Sequence, residues 1–282
     1  MDLLPRGNDV LNVNPPTGAD LSLSLNGSDW LWAVTAVHIL FFFIVLVPSF
    51  TSHESKRVFN YTLSMALFIG AVCYYAEASD LGWSAVQQEN GLFRQIFYAR
   101  YINWVVSFPA AVLSLGLMSG VSWTTIILNI VLAWTWVLTY LVGAYTTTAY
   151  KWGFFAFGTF AYIILAMSTL NESRESAEVL GYARHYMVLS GWVNLLWLLY
   201  PVAWGLSEGG NVIGVTEGFI FFGALDVLLL PVLSIGFLVL SPGWDWAKLQ
   251  LDFSEYRGIR SSGNMPPKET APTTEDNTSS VA

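Results

Sequence analysis

Charge is scarce in this 282-residue chain: Asp, Glu, Lys and Arg together make up 11% of it, less than half of the roughly 25% usual in a water-soluble domain. Cysteine is scarcer still. Cys73 stands alone, which excludes an intrachain disulfide and any cysteine-based metal or redox framework. The three histidines, His38, His53 and His185, are scattered. They offer neither metal-ligand spacing nor a nucleophile–base pair, so no metal centre and no enzymatic activity are expected. The twelve basic residues form no patch, which argues against nucleic acid. The opening Met1-Asp2-Leu3-Leu4-Pro5-Arg6 lacks the basic-then-apolar order of a signal peptide.

Hydrocarbon takes the place of charge. Hydrophobic residues make up 54% and aromatics 16%, with thirteen Trp and thirteen Tyr, a composition suited to a bilayer with aromatic belts at its two faces. About 20 apolar residues span a membrane as a helix. Seven such stretches are read here: Trp30–Phe50, Val58–Tyr75, Phe93–Met118, Trp123–Tyr145, Trp152–Leu170, Tyr186–Leu206 and Phe219–Leu240. Their short links predict antiparallel neighbours, hence one all-α, seven-transmembrane-helix bundle over residues 29–252. Residues 1–28 read as a flexible outer tail carrying the sequon Asn26-Gly27-Ser28. Residues 253–282, rich in Ser, Thr, Pro and Glu, read as a disordered cytoplasmic tail. Lys56, Arg57, Arg174, Arg184, Lys248, Arg257, Arg260 and Lys268 fall on one side, and Arg6, Arg94 and Lys151 on the other. The positive-inside rule then gives N-out, C-in.

Polar groups inside a bilayer are costly and mark function. The third span places Arg100, Asn103, Ser107 and Ser114 on one helical face, the sixth carries Trp197, Tyr200 and Trp204 with Pro201 as a kink, and the seventh carries Asp226. An Arg100–Asp226 pair would satisfy both charges. Glu77 reads as the water-exposed end of the second span, beside Asp80.

These residues resemble the microbial (type I) rhodopsin family across nearly all of the membrane portion. The third span is similar to Ala-Arg-Tyr-x-Asp-Trp followed by Pro, here Ala99-Arg100-Tyr101-Ile102-Asn103-Trp104 and Pro109. The sixth resembles Trp-x-x-Tyr-Pro-x-x-Trp, here Trp197, Tyr200, Pro201 and Trp204, then Ser207-Glu208-Gly209. The seventh resembles Leu-Asp-x-x-x-Lys, here Leu225-Asp226 but with Leu230 at the lysine position; Leu230-Pro231-Val232 is similar to the fungal Lys-Pro-Val. Tyr74 matches the family's pocket tyrosine, which with Trp104, Trp197, Tyr200 and Trp204 outlines the retinal pocket that the resemblance implies.

In that family the lysine holds retinal as a Schiff base. Here Lys56, Lys151, Lys248 and Lys268 all lie in links, at helix ends or in the tail, so no covalent retinal and no light-driven pump are expected. The proton-acceptor aspartate is replaced by Asn103 and the donor position by Ser114. The outer release position falls on Gly218, with Glu217 adjacent, leaving Glu77, Glu208 and Glu217 as outer carboxylates. One cation and one anion are lost together, which keeps the interior neutral.

Within the family the chain resembles fungal opsin-related, heat-shock-type proteins. That resemblance implies a stress-related regulatory or chaperone-like role at the plasma membrane, acting through partners such as the proton ATPase or as a homo-oligomer. Two alternatives stay open. One is a passive ion, proton or small-molecule path along Glu77, Arg100, Asn103, Ser107 and Asp226; the other is non-covalent binding of retinal or lipid.

Overall fold

The computed structural model describes residues 7–52, 54–246, 248, 249 and 251. The expected disordered tail at 253–282, with Arg257, Arg260 and Lys268, lies outside the described residues, as do Arg6 and His53.

Without water, a backbone must satisfy its own N–H and C=O groups, and a helix does so within one segment. Seven helical crossings result: Leu25–Ser49, Lys56–Ala78, Tyr98–Ser119, Trp123–Ala144, Lys151–Val179, Ala183–Gly209 and Val215–Gly243. The seven-helix bundle read from the sequence is what the chain forms. Its elements are α1 (Val10–Val13), α2 (Leu25–Ser49), α3 (Glu54–Ala78), α4 (Tyr98–Ser119), α5 (Trp123–Ala144), α6 (Lys151–Met167), α7 (Ser173–Val179), α8 (Ala183–Trp197), α9 (Leu199–Trp204) and α10 (Val215–Leu240). Local chemistry sets the ends. Ser24 and Ser122 cap α2 and α5 by accepting from the N–H groups of Gly27 and Thr125. Gly120 ends α4 in the left-handed region, at φ 71°.

Two of the crossings are interrupted. The fifth passes from α6 to α7 through a π-turn at Ser168–Glu172. The sixth breaks at Leu198, between α8 and α9, and ends in a second π-turn at Gly205–Gly209. Pro201 has no N–H to bond Trp197 and its ring crowds that turn, which accounts for the break and bears out the expected kink. A π-turn inserts an extra residue and so rotates the next stretch of helix about its axis. The second one turns Ser207 and Glu208 inward, where both are buried.

The side of the bundle that carries the chain's start is more built than expected. Phe93–Phe97 does not begin the third span but forms strand β2, paired antiparallel with β1 (Trp83–Gln87) in the register Trp83↔Phe97 to Gln87↔Phe93. A five-residue segment, Phe-Arg-Gln-Ile-Phe, is too short for a period that separates strand from helix. Residues 7–28 are not loose either. Leu21 bridges Arg94, Leu23 N–H donates to Gln95 Oε1 at 2.8 Å, and α2 already begins at Leu25. The sequon asparagine therefore sits in the first turn of a helix.

At the opposite end, the segment after α10 folds back onto the bundle. Trp244 packs against Phe59 and Phe237, and its Nε1–H donates to His185 Nδ1 at 3.1 Å. The Asp245 N–H donates to Tyr182 Oη at 2.6 Å.

Asp80, between α3 and β1, is buried and adopts a positive φ of 54°. Burial holds its carboxyl above the ordinary aspartate range, opposed by the Gln95 amide that donates to it at 2.6 Å. The unfolded chain therefore ionises first as pH rises. The stability linked to Asp80 is complete in acid and is lost as pH climbs from the ordinary aspartate value through the raised one. Asn tolerates this backbone conformation at least as well as Asp. Asp80→Asn is expected to raise the thermal midpoint at neutral pH, read by tryptophan fluorescence in detergent, with the gain shrinking on acidification. An equal gain at every pH would locate the effect in the backbone instead.

Candidate functional site

The interior is organised around two carboxylates, each held by a different set of donors. Asp226 of α10 is 3% exposed. Its Oδ1 accepts from Tyr200 Oη at 2.5 Å and its Oδ2 from Tyr74 Oη at 2.5 Å. Asn103 Nδ2 donates to Oδ2 at 3.2 Å, and Trp104 Nε1 reaches both oxygens at 3.1 and 3.2 Å. Four donors from α3, α4 and α9 thus fill the acceptor positions of a single carboxylate, the arrangement that makes a buried anion tolerable.

The expected Arg100–Asp226 pair is not formed. Arg100, 3% exposed, donates instead from Nη1 to Glu208 Oε1 at 2.5 Å, and its guanidinium lies 4.2 and 4.4 Å from the ring centroids of Phe219 and Phe222. Glu208 Oε2 also accepts from Tyr101 Oη and Ser207 Oγ, both at 3.3 Å, and Tyr101 Oη in turn accepts from Trp204 Nε1 at 3.0 Å. The π-turn that brings Glu208 inward gives Arg100 a nearer partner. Shape and charge favour that partner, because the planar guanidinium then also stacks on two aromatic faces.

The remaining sequence-predicted residues divide between these centres. Tyr74, Trp104 and Tyr200, read from the sequence as pocket residues, gather on Asp226 as hydrogen-bond donors. Trp204 belongs to the Glu208 side, packing on Tyr140 and Phe155. Glu77 is 1% exposed rather than a wet helix end, and its Oε2 has no hydrogen-bond partner among the described residues. Ser107 and Ser114 are buried, each Oγ likewise unpartnered there. Glu217 is exposed in the first turn of α10, where a carboxylate complements the helix dipole.

Two contributors carried no motif signal. Phe108 stands one helical turn beyond Trp104 and touches Trp104, Trp136, Trp197 and Tyr200, with ring centroids 5.0–5.9 Å away. The space left among Trp104, Phe108, Trp136, Val137, Tyr140 and Tyr200 is too narrow for a water molecule. Leu230, one turn after Asp226 on the same face of α10, is 2% exposed and continuous with this apolar core. The second contributor, His38 of α2, stacks on Tyr74 with centroids 5.0 Å apart. Helix periodicity alone points to neither Phe108 nor His38, since an aromatic or a histidine on an apolar face reads as packing.

This architecture defines a seven-helix membrane bundle with a polar centre, and comparison with known proteins gives its family. Residues 26–229 match the family model described as "Bacteriorhodopsin-like protein", so the chain belongs to the bacteriorhodopsin-like family of multi-pass membrane proteins. It is similar to the opsin-like protein carO of Fusarium fujikuroi, 37% identical over 82% of this chain and 80% of that one. It is also similar to the 30 kDa heat shock protein of Saccharomyces cerevisiae, 32% identical over 80% and 75% of the two chains. Among solved structures, the light-driven proton pump rhodopsin of Coccomyxa subellipsoidea superposes with a TM-score of 0.76 at 26% identity, covering 78% of this chain and 98% of that one.

Breaking a buried pair by removing one partner costs about 3–5 kcal/mol, because the other charge is left uncompensated. Arg100→Gln and Glu208→Gln are each expected to lower unfolding stability by that order, measured by denaturant titration in mixed micelles. The double variant, neutral again, is expected to recover most of the loss. Additive losses would show that the two side chains act separately.

Proposed function

We propose that this chain is a retinal-free member of its family, a stress-related plasma-membrane protein that works through partner proteins rather than as a light-driven pump. The observation that carries this reading is Leu230: a buried hydrocarbon side chain at the position where the family resemblance places the retinal-binding lysine. Lys151 and Lys56 begin the fifth and second crossings, and Lys151 Nζ lies 3.9 Å from Glu89 of the hairpin side, far in chain position from the core. Phe108 supports the same reading, because its ring stands among the aromatics that would have to flank a polyene. Residues of this kind do not fit a covalently held retinal, and no chemistry through that group is derived for them. With Asn103 donating to Asp226, that position serves to hold the carboxylate, not to receive a proton.

The stress-related and plasma-membrane parts of the proposal draw on likeness to a protein named for heat shock and on the sequence resemblance. The N-out, C-in orientation follows from the distribution of Lys and Arg. A partner is expected to be another membrane protein, with the plasma-membrane proton ATPase as the first candidate. The packing also favours this over a transport path, for the space among Trp104, Phe108, Trp136, Val137, Tyr140 and Tyr200 is too narrow for a water molecule.

Purified protein mixed with all-trans retinal is expected to show no red-shifted visible band, and Leu230→Lys alone only a weak one. Combining Leu230→Lys with Phe108→Ala is expected to restore a strong band that borohydride fixes to the chain. A coloured native protein would overturn the retinal-free reading. Cross-linking in intact membranes tests the partner reading separately: recovery of the ATPase supports it, while unchanged pump regulation and stress tolerance after gene deletion would remove it.

A further inference from the structure

Replacing lysine by Leu230 removes a cation from the interior, and pairing Arg100 with Glu208 withdraws a second one from Asp226. Asp226 is nonetheless surrounded as an anion. Two tyrosine hydroxyls, an indole N–H and an amide N–H all point at it. A proton on the carboxyl itself would have to displace one of these donors. An ionised carboxylate in hydrocarbon needs a positive charge nearby.

One side chain is placed to supply it. His38 is 0% exposed, and its Nδ1 lies 3.0 Å from the Val34 carbonyl oxygen, which can only accept, so Nδ1 carries a hydrogen. Its Nε2 has no partner among the described residues, and neither has Asn103 Oδ1. Both atoms border Gly70: each lies 3.2 Å from the point where a Cβ on that residue would stand, and that Cβ would come within 2.7 Å of His38 Cδ2. Glycine is therefore what permits the approach. The Asn103 amide cannot turn over to help, because its Nδ2 is committed to Asp226 Oδ2. A neutral ring with hydrogen on Nδ1 would leave the Nε2 lone pair and the Asn103 carbonyl oxygen both buried without a hydrogen. Two buried acceptors that border one glycine both lack a hydrogen, and one on Nε2 is the one the site can add.

We infer that His38, Asn103 and Asp226 form an internal proton-binding site, in which His38 holds the proton on Nε2, donates it to Asn103 Oδ1, and is linked through that amide to the Asp226 carboxylate. The ligand is a proton, and the imidazolium stands in for the cation lost at Leu230. From α3 the ring faces Tyr74, which is bonded to the same carboxylate. Tyr200 of α9, Cys73 and Glu77 of α3, and Arg100 of α4 with its partner Glu208 are the other ionisable groups around this centre. The site does not depend on whether the chain acts through partners.

Nitrogen-15 NMR of histidine-labelled, full-length protein in lipid nanodiscs tests this. An imidazolium shows two protonated ring nitrogens of similar shift, whereas a neutral ring shows two widely separated resonances. His38→Gln assigns the signal among the three histidines. The expected result is an imidazolium at neutral pH that becomes a neutral ring in Asp226→Asn and stays charged in the Arg100→Gln, Glu208→Gln double variant. A neutral His38 in the unmodified protein, with a water joining Nε2 to Asn103, overturns the inference without recourse to any variant. An imidazolium that persists unchanged in Asp226→Asn overturns the link to the carboxylate.

Discussion

A carboxylate in the middle of a bilayer is the constraint around which the rest of this molecule is arranged. Asp226 cannot be left to water, so hydroxyl, amide and indole donors converge on it from α3, α4 and α9. Each of those contacts ties a helix to α10. Tyr74 fixes α3, Asn103 and Trp104 fix α4, and Tyr200 fixes the short segment α9 beyond the break at Leu198. A bundle of apolar helices in lipid has little hydrophobic reason to choose one rotation of each helix over another, because lipid tails are as apolar as leucine. Polar contacts to one shared group supply that choice. The same group would be a liability in a protein that lost only its cation.

The second centre solves its own charge problem locally. Arg100 and Glu208 satisfy each other, and two phenylalanine faces together with Tyr101 and Ser207 occupy what remains. The molecule therefore holds two separately balanced groups where a one-dimensional reading finds one. Between them and the far side stands a continuous aromatic layer of Trp104, Phe108, Trp136, Trp197 and Tyr200, stacked or edge-on at 5–6 Å. Such pairs are worth about 0.5–1.5 kcal/mol each beyond the area they bury. The layer that would flank a ligand in a relative here packs on itself, through Phe108.

How much of this was legible in the sequence depends on what kind of signal each feature leaves. Hydrophobic length is written plainly along the chain, so the seven crossings and the buried face of Arg100, Asn103 and Ser107 could be read. The hairpin could not, because Phe93–Phe97 is too short to show a period and adjoins a helix that starts with equally apolar residues. Pairing was the larger error. Spacing along α4 and α10 says that Arg100 and Asp226 face inward, but it says nothing of their relative depth or of a third group. Glu208 reaches Arg100 only because Gly205–Gly209 winds as a π-turn, a departure with no signature beyond its glycines. His38 was equally silent: its meaning depends on Gly70 of another helix and on the acceptor end of the Asn103 amide.

The fold-back at Trp244 bears on which motions remain open to the bundle. Its indole bonds His185 and the next residue's N–H bonds Tyr182, so the start of α8 is fastened to the segment beyond α10. Tyr200 fastens the continuation of the same crossing to Asp226 on α10. A crossing pinned to one neighbour at two depths cannot swing away from it as a rigid lever. Alternating-access carriers depend on such rocking, and here the contacts of Trp244, Asp245 and Tyr200 would all have to part before this crossing could begin to move.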